Sequence, residues 1–173
     1  MNPPSSDSLS NSERLTHSAR GLAADLLKEL GWKLATAESC TGGMIAACCT
    51  DIAGSSDWFE RGFVTYSNAA KTEMLGVDAA LISSHGAVSE QVVRAMVQGA
   101  LTHSTAQVAV AVTGVAGPGG GSEAKPVGTV WLGWATPAGV VTEVQRFAGD
   151  RAQVRAATVQ RALQRLVALL QVA

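Results

Sequence analysis

The stretch QVAVAV, residues 107–112, decides the fold class of this 173-residue chain. Its valines and alanines alternate without a charged residue, which is typical of a strand buried on both faces. The glycine-rich segment TGVAGPGGGSEAKP, residues 113–126, follows it directly. Because α/β folds bind ligands in loops at strand ends, the stretch predicts a core strand and the neighbourhood of a site.

Helical and strand patterns alternate on both sides of this stretch. Apolar residues at helical spacing predict a helix over residues 13–30 that Gly31 ends, and Asp150 is expected to cap a last helix. Further strands are predicted at residues 32–37, 63–66, 127–136 and 140–147, with the last two in a hairpin, and further helices at residues 42–50, 69–75 and 89–103. This alternation predicts a single layered α/β/α domain with a mixed sheet over residues 13–173, after a disordered N-terminal tail at residues 1–12.

The composition excludes several classes of protein. Thirteen Lys and Arg against 14 Asp and Glu leave a net charge of −1, without the basic excess of a nucleic-acid-binding protein. No apolar run approaches the ~18 residues of a spanning helix, so no membrane partner is expected. Residues 1–12 have no apolar segment of a secretory signal, which favours a cytoplasmic protein. We also expect a homo-oligomer, and Trp58, Trp131 and Trp134 suit an interface as well as they suit a core.

Cysteine and histidine spacing gives no indication of a metal site. The chain has three of each, without a C-x-x-C pair or a histidine at ligand spacing. Structural thiols and surface histidines are therefore expected, with no metal and no cofactor. The chain also has 18 glycines, above the ~7% of average usage, and many of them lie in three loops that follow predicted strands.

The first loop is TAESCTGG, residues 36–43, between a strand and a helix. A serine at this position can act as a nucleophile while the backbone amides after it form an oxyanion hole. The candidate nucleophile is Ser39, and the candidate amides are those of Cys40, Thr41, Gly42 and Gly43. Alternatively, Ser39 or Thr41 only caps the helix, since serine is a favoured N-cap. Cys40 is a rival nucleophile, but no histidine lies near it in sequence to activate it.

The second loop, residues 66–71, contains a candidate base. If Asn68 caps the short helix that follows, Lys71 falls in its first turn, where the helix dipole disfavours a cation and lowers the lysine pKa. A lysine of this kind can serve as general base for a serine. The alternative is an ordinary solvated lysine on a helix face, because Ser39 and Lys71 come from separate elements and do not form an S-x-x-K motif.

The third loop, residues 113–126, does not match a known phosphate-binding fingerprint. Its glycines are not spaced as G-x-G-x-x-G, it leads into a strand, and no G-K-[ST] occurs. We interpret it as a loop whose backbone amides approach a ligand; the alternative is a flexible surface loop. The candidate binding residues here are Thr113, Gly114, Gly117 and Gly119.

Four segments together resemble the CinA C-terminal domain family. They are TAESCTGG at residues 36–43, WFERGFVTYSNAAK at 58–71, TGVAGPGGGSEAKPVGTVW at 113–131 and GDR at 149–151. The resemblance extends over about residues 13–170 and is close to the stand-alone members, which are nicotinamide-nucleotide amidohydrolases.

This resemblance implies a function. It implies Ser39 as nucleophile, Lys71 as base and Tyr66 as a helper, in the conversion of nicotinamide mononucleotide to nicotinate mononucleotide and ammonia during pyridine-nucleotide salvage. Arg151 and the glycines of the third loop are our candidates for holding the 5′-phosphate.

Two other functions are considered. One is a nucleotide-binding accessory protein, connected with competence or DNA damage, that keeps the pocket without catalysis. The other is an NAD binder related to short-chain dehydrogenases; the glycine spacing and the separation of Tyr66 and Lys71 both disfavour it.

Overall fold

The computed structural model describes residues 10–173, so residues 1–9 of the predicted tail lie outside the described part. The first helix begins at Asn11, within the predicted tail. It begins there because the Ser10 hydroxyl accepts from the Glu13 amide, while the Glu13 carboxylate accepts from the Ser10 amide at 2.8 Å. This capping box satisfies amides that the first turn leaves unpaired. Gly31 ends the helix in a left-handed conformation, as predicted.

Six α-helices, five strands and one short 3-10 helix (Ser55–Asp57) lie within residues 10–173. In chain order the α-helices and strands are α1 (Asn11–Leu30), β1 (Leu34–Glu38), α2 (Met44–Thr50), β2 (Phe59–Val64), α3 (Asn68–Leu75), α4 (Ala79–His85), α5 (Glu90–Thr102), β3 (Val108–Gly114), β4 (Thr129–Thr136), β5 (Gly139–Arg146) and α6 (Arg151–Leu170). The sheet order is β2-β1-β3-β4-β5. Strand β1 is parallel to β2 and β3, whereas β4 is antiparallel to β3 and β5. The predicted mixed sheet is therefore confirmed.

The alternation in β3 separates two hydrophobic cores. Val108, Val110 and Val112 pack in the core that α1 and α6 cover, while Ala109 and Ala111 pack in the core beneath α5. All five side chains are fully buried. The sheet thus lies between two helical layers, which confirms the α/β/α arrangement that this stretch predicted.

The structure corrects the elements near the second loop. Strand β2 begins at Phe59 and ends at Val64, whereas the prediction was residues 63–66. The predicted bounds were wrong because β2 is an edge strand whose middle residues, Glu60 to Gly62, are polar or small. The cap of α3 is Ser67, not Asn68, since the Ser67 hydroxyl accepts from the Ala70 amide at 3.0 Å. Helix α4, which Asp78 caps, was not predicted.

The tryptophans that were considered as interface anchors differ in burial. Trp58 and Trp134 are buried in the core, and Trp134 donates from Nε1 to the carbonyl of Ala162 at 3.0 Å. Only Trp131 is partly exposed. None of the helices within residues 10–173 has the length and apolarity needed to cross a membrane. Nor does this part of the chain gather three or more His, Cys, Asp or Glu side chains in a group that could hold a metal ion.

Candidate active site

A cavity opens where the three parallel strands end. Ser39 follows β1, Tyr66 follows β2, and Gly114 is the last residue of β3. The cavity has a volume of about 220 Å³. It is lined by Ser39, Cys40, Tyr66, Asn68, Lys71, Ala87, Val88, Thr113, Gly114, Ala116 and Arg151. The C-terminal edge of parallel strands is where α/β folds bind ligands.

The fold brings Ser39 and Lys71 into contact. Lys71 Nζ lies 3.2 Å from Ser39 Oγ, 3.1 Å from the carbonyl oxygen of Thr65 and 3.5 Å from that of Tyr66. The Lys71 side chain is only 1% exposed, so it is not the solvated lysine of the alternative interpretation. Its pKa is lowered, as predicted, and burial of the amine is the main cause.

Backbone hydrogen bonds bring the lysine to the serine. The Thr65 amide donates to the Glu38 carbonyl at 2.8 Å, which continues the pairing of β2 with β1 up to the site. Ser67 then starts α3, and the Lys71 amide donates to the Ser67 carbonyl at 3.2 Å. Lys71 therefore lies one turn into α3, and its side chain reaches back to the end of β1.

The loop that carries Ser39 is held by a buried carboxylate. Glu38 is fully buried and accepts three hydrogen bonds, from Thr41 Oγ1 at 2.6 Å, the Ile45 amide at 3.0 Å and the Ala46 amide at 2.8 Å. Glu38 thus serves as the cap of α2. The N-cap position itself is Gly43, which has no side chain to cap with, so the interpretation of Ser39 or Thr41 as a simple helix cap is wrong.

The predicted oxyanion loop is only partly at the cavity. Cys40 lines it, whereas Thr41, Gly42 and Gly43 do not. The Gly42 amide already donates to the Ser39 carbonyl at 3.0 Å, which closes a tight turn. A side chain absent from our predictions also holds this loop: Arg155 of α6 donates to the carbonyls of Cys40 and Thr41, at 3.1 Å each.

The rival nucleophile Cys40 is a protonated thiol at neutral pH. Burial raises the pKa of its thiol to about 11. Since the thiolate is the reactive form, Cys40 is poorly activated at neutral pH, despite lying beside Ser39.

The third loop contributes less to the cavity than predicted. Thr113 and Gly114 line it, and Thr113 Oγ1 donates to the carbonyl of Ala87 at 2.9 Å. Gly117 and Gly119 are not part of the lining. Instead the Gly117 carbonyl accepts from Arg151 Nη1 at 3.0 Å, so this glycine positions the arginine.

Arg151 connects two of the predicted site residues. It lines the cavity, and its Nη2 donates to the hydroxyl of Tyr66 at 3.0 Å. Tyr66 is 60% exposed, and its hydroxyl is directed to Arg151, with no hydrogen bond to Ser39 among the described residues.

Four lining residues were not predicted: Asn68, Ala87, Val88 and Ala116. Asn68 was interpreted only as a cap. Ala87 and Val88 lie between α4 and α5, where an apolar sequence gives no indication of a site.

A protein-family model described as "CinA C-terminal domain" matches residues 16–170. The chain belongs to the CinA C-terminal domain family. Nicotinamide-nucleotide amidohydrolase PncC from Enterobacter agglomerans is 57% identical over 145 residues, which cover 83% of this chain and 88% of that protein. The protein of the same name from Escherichia coli strain K12 is 56% identical over 81% of this chain and 86% of its own length.

The CinA-family fold is also present among solved structures. The competence/damage inducible protein CihA from Agrobacterium tumefaciens superposes with a TM-score of 0.85 at 49% identity, over 90% of this chain and 94% of that chain. The family resemblance of the four sequence segments and the α/β fold that the alternating elements predicted are both confirmed.

Proposed function

We propose that this CinA-family chain is a nicotinamide-nucleotide amidohydrolase that converts nicotinamide mononucleotide to nicotinate mononucleotide and ammonia. The observation that carries the proposal is the buried contact of 3.2 Å between Ser39 Oγ and Lys71 Nζ at the wall of the cavity. The names of the relatives support the substrate. We further propose that the protein acts in pyridine-nucleotide salvage, as a cytoplasmic homo-oligomer.

The surroundings of Lys71 suit a neutral amine. A neutral amine has two N–H donors and one lone pair. The carbonyls of Thr65 and Tyr66 can accept the two donors, which leaves the lone pair for the hydroxyl proton of Ser39. Because burial lowers its pKa, Lys71 becomes neutral at a lower pH than a solvated lysine does, and this is what a general base requires.

The reaction then follows in two stages. Lys71 takes the Ser39 proton while Oγ attacks the carboxamide carbon, and the amide at Cys40 stabilises the oxyanion. The carbon–nitrogen bond breaks as Lys71 returns the proton to the leaving nitrogen, which departs as ammonia. A water molecule then gives a proton to Lys71 and attacks the ester. Collapse breaks the bond to Oγ, and Lys71 returns the proton to Oγ. Nicotinate mononucleotide is released and Ser39 is restored, so the net reaction consumes one water.

The 5′-phosphate is assigned to Arg151. If Lys71 is neutral, Arg151 is the one cationic side chain among the lining residues, and the Gly117 carbonyl and Tyr66 hydroxyl hold it in place. A guanidinium binds phosphate through charge-assisted hydrogen bonds. The Tyr66 hydroxyl, Thr113 and Gly114 complete the binding surface.

Ammonia release from nicotinamide mononucleotide tests the proposal. Ser39→Ala and Lys71→Met should each lower kcat by at least about 10³-fold. The matched controls Ser84→Ala and Lys28→Met change exposed side chains and should keep full activity. Full activity in Ser39→Ala contradicts the mechanism. Binding of the mononucleotide without ammonia release, seen as a thermal shift of the unsubstituted protein, favours the accessory-protein function.

A further inference from the structure

Arg155 binds two consecutive carbonyl oxygens next to Ser39. Its Nε donates to the Cys40 carbonyl and its Nη2 to the Thr41 carbonyl, both at 3.1 Å. The guanidinium is half-buried and comes from α6, far along the chain. Within residues 10–173 it forms no ion pair with a carboxylate, so its charge acts on the loop without a neutralising partner.

These contacts determine the directions of the backbone amides. A trans peptide group is planar, and its C=O and N–H point in opposite directions. Arg155 anchors the carbonyl of the Cys40–Thr41 peptide, and the Gly42 amide anchors the carbonyl of the Ser39–Cys40 peptide at 3.0 Å. In the part of the chain that the structure describes, the amides of Cys40 and Thr41 donate to no other residue. Both peptide planes are therefore fixed with their donors unused.

We infer that Arg155 is a positioning residue for amide hydrolysis, which aims the Cys40 amide at the cavity before the substrate oxyanion forms. Its bond to the Thr41 carbonyl fixes the Thr41–Gly42 peptide, and the amide of that peptide holds the Ser39 carbonyl and with it the plane of the Cys40 amide. This inference rests on the proposed function, since it assumes attack by Ser39. Donors that are fixed in advance stabilise an oxyanion without reorganising during the reaction. A loop without the Arg155 anchor has to order its peptide planes during each turnover.

The positive charge of Arg155 also favours the oxyanion. Arg155 lowers the pKa of the Cys40 thiol, against the larger raising effects of burial and of the Glu38 carboxylate, so its own contribution at the cavity wall favours negative charge. An oxyanion that forms beside Ser39 receives the same stabilisation, whereas a neutral carboxamide receives little. Arg155 is therefore expected to affect kcat more than KM.

The test compares Arg155→Ala and Arg155→Lys with Arg161→Met. Arg161 lies on the same helix and forms a half-buried pair with Glu143, away from the cavity, so it controls for the loss of an arginine from α6. With nicotinamide mononucleotide, Arg155→Ala should lower kcat at least about tenfold, with KM within about threefold. Arg155→Lys should recover only part of kcat, because an ammonium does not match two carbonyls in a fixed geometry.

Two readouts separate positioning from a merely structural role. Added guanidinium at millimolar concentration should raise kcat of Arg155→Ala and leave Arg161→Met unchanged. The second readout needs no mononucleotide: a fluorophosphonate probe bonds to Ser39 Oγ with loss of fluoride and of the serine proton, and intact mass gives the rate. This rate should fall in Arg155→Ala but not in Arg161→Met.

The outcomes distinguish the two proposals. If the unsubstituted protein is not labelled at Ser39 and releases no ammonia, the proposed function is wrong and the role of Arg155 fails with it. If the unsubstituted protein is labelled and active, and Arg155→Ala matches it in both rates, only the role of Arg155 is overturned. A third outcome also overturns the role: kcat of Arg155→Ala falls, KM rises by the same factor, and added guanidinium has no effect. Arg155 then serves only the structure of the loop.

Discussion

Replacing Glu38 by glutamine should destabilise the protein although it changes one atom and leaves the cavity lining untouched. Glu38 is fully buried, and its two carboxylate oxygens accept from Thr41 Oγ1 and from the Ile45 and Ala46 amides. A glutamine has one acceptor oxygen and one NH₂ group. In either orientation, its NH₂ group faces an amide N–H that the carboxylate satisfied.

The three hydrogen bonds determine the magnitude. The better orientation keeps the oxygen toward Thr41 and Ile45 and turns the NH₂ group toward the Ala46 amide, which loses its acceptor. Leaving one buried donor unsatisfied costs about 1–3 kcal/mol, and the two remaining bonds lose their charge assistance. The first turn of α2 also loses a favourable negative charge, worth about 0.3–1 kcal/mol. We therefore expect the free energy of unfolding to fall by about 2–4 kcal/mol, or a Tm lower by roughly 4–16 °C.

Urea and thermal denaturation at one pH measure this loss, with Glu90→Gln as the matched control. The Glu90 side chain is 45% exposed and forms an i,i+4 pair with Arg94, so the same substitution there should cost less than about 1 kcal/mol. Because α2 begins just after Ser39, Glu38→Gln should also lower kcat. A free energy of unfolding within about 0.5 kcal/mol of the unsubstituted protein would refute the cap that we assign to Glu38.

Three further predictions concern a pKa, a binding group and a packing contact. In a pH profile, kcat/KM should decrease as the pH is lowered through the Lys71 pKa, because the protonated amine cannot act as a base. Since burial lowers this pKa, the midpoint of the decrease should lie below the ordinary value of 10.5, and a midpoint at or above 10.5 contradicts the assignment. Arg151→Gln should raise KM for nicotinamide mononucleotide about 10–100-fold with kcat nearly unchanged, and should leave any activity on the phosphate-free riboside unaffected. Gly99→Ala should lower the free energy of unfolding by about 1–3 kcal/mol in urea, since its Cβ would clash with the carbonyl oxygen of Leu75, whereas Gly21→Ala, with open space around it, should be neutral or stabilising.

The sequence predicts the layers of this fold well because they depend on local patterns. The valines and alanines of β3 indicate burial on both faces. Gly31 ends α1 through its left-handed backbone, and Asp150 begins α6 through its capping side chain. Strand β2 is less predictable, since its middle residues include the ion pair of Glu60 and Arg61 and therefore show no apolar alternation.

The site is predictable only in part, for a different reason. Ser39 and Lys71 can be identified as candidates from their segments, but their contact depends on the pairing of β1 with β2, which brings Thr65 beside Glu38. Arg155 was missed because an arginine on an amphipathic helix has the same sequence pattern whether it meets solvent or two carbonyl oxygens. Long-range polar contacts of this kind have no local signature.

The burial of Lys71 makes stability and reactivity oppose each other at one residue. Its pKa is lowered in the folded chain, so between the folded-state pKa and 10.5 the unfolded chain binds more protons, and the free energy of unfolding rises with pH in that window. Below the folded-state pKa the whole cost of burying the ammonium is present. The carbonyls of Thr65 and Tyr66 reduce this cost, since a strand that has just ended offers acceptors that the sheet no longer uses. A buried lysine is thus tolerated here because its amine meets carbonyl oxygens just beyond the end of β2. In the proposed mechanism, the same carbonyls accept its N–H groups and leave its lone pair for the Ser39 proton.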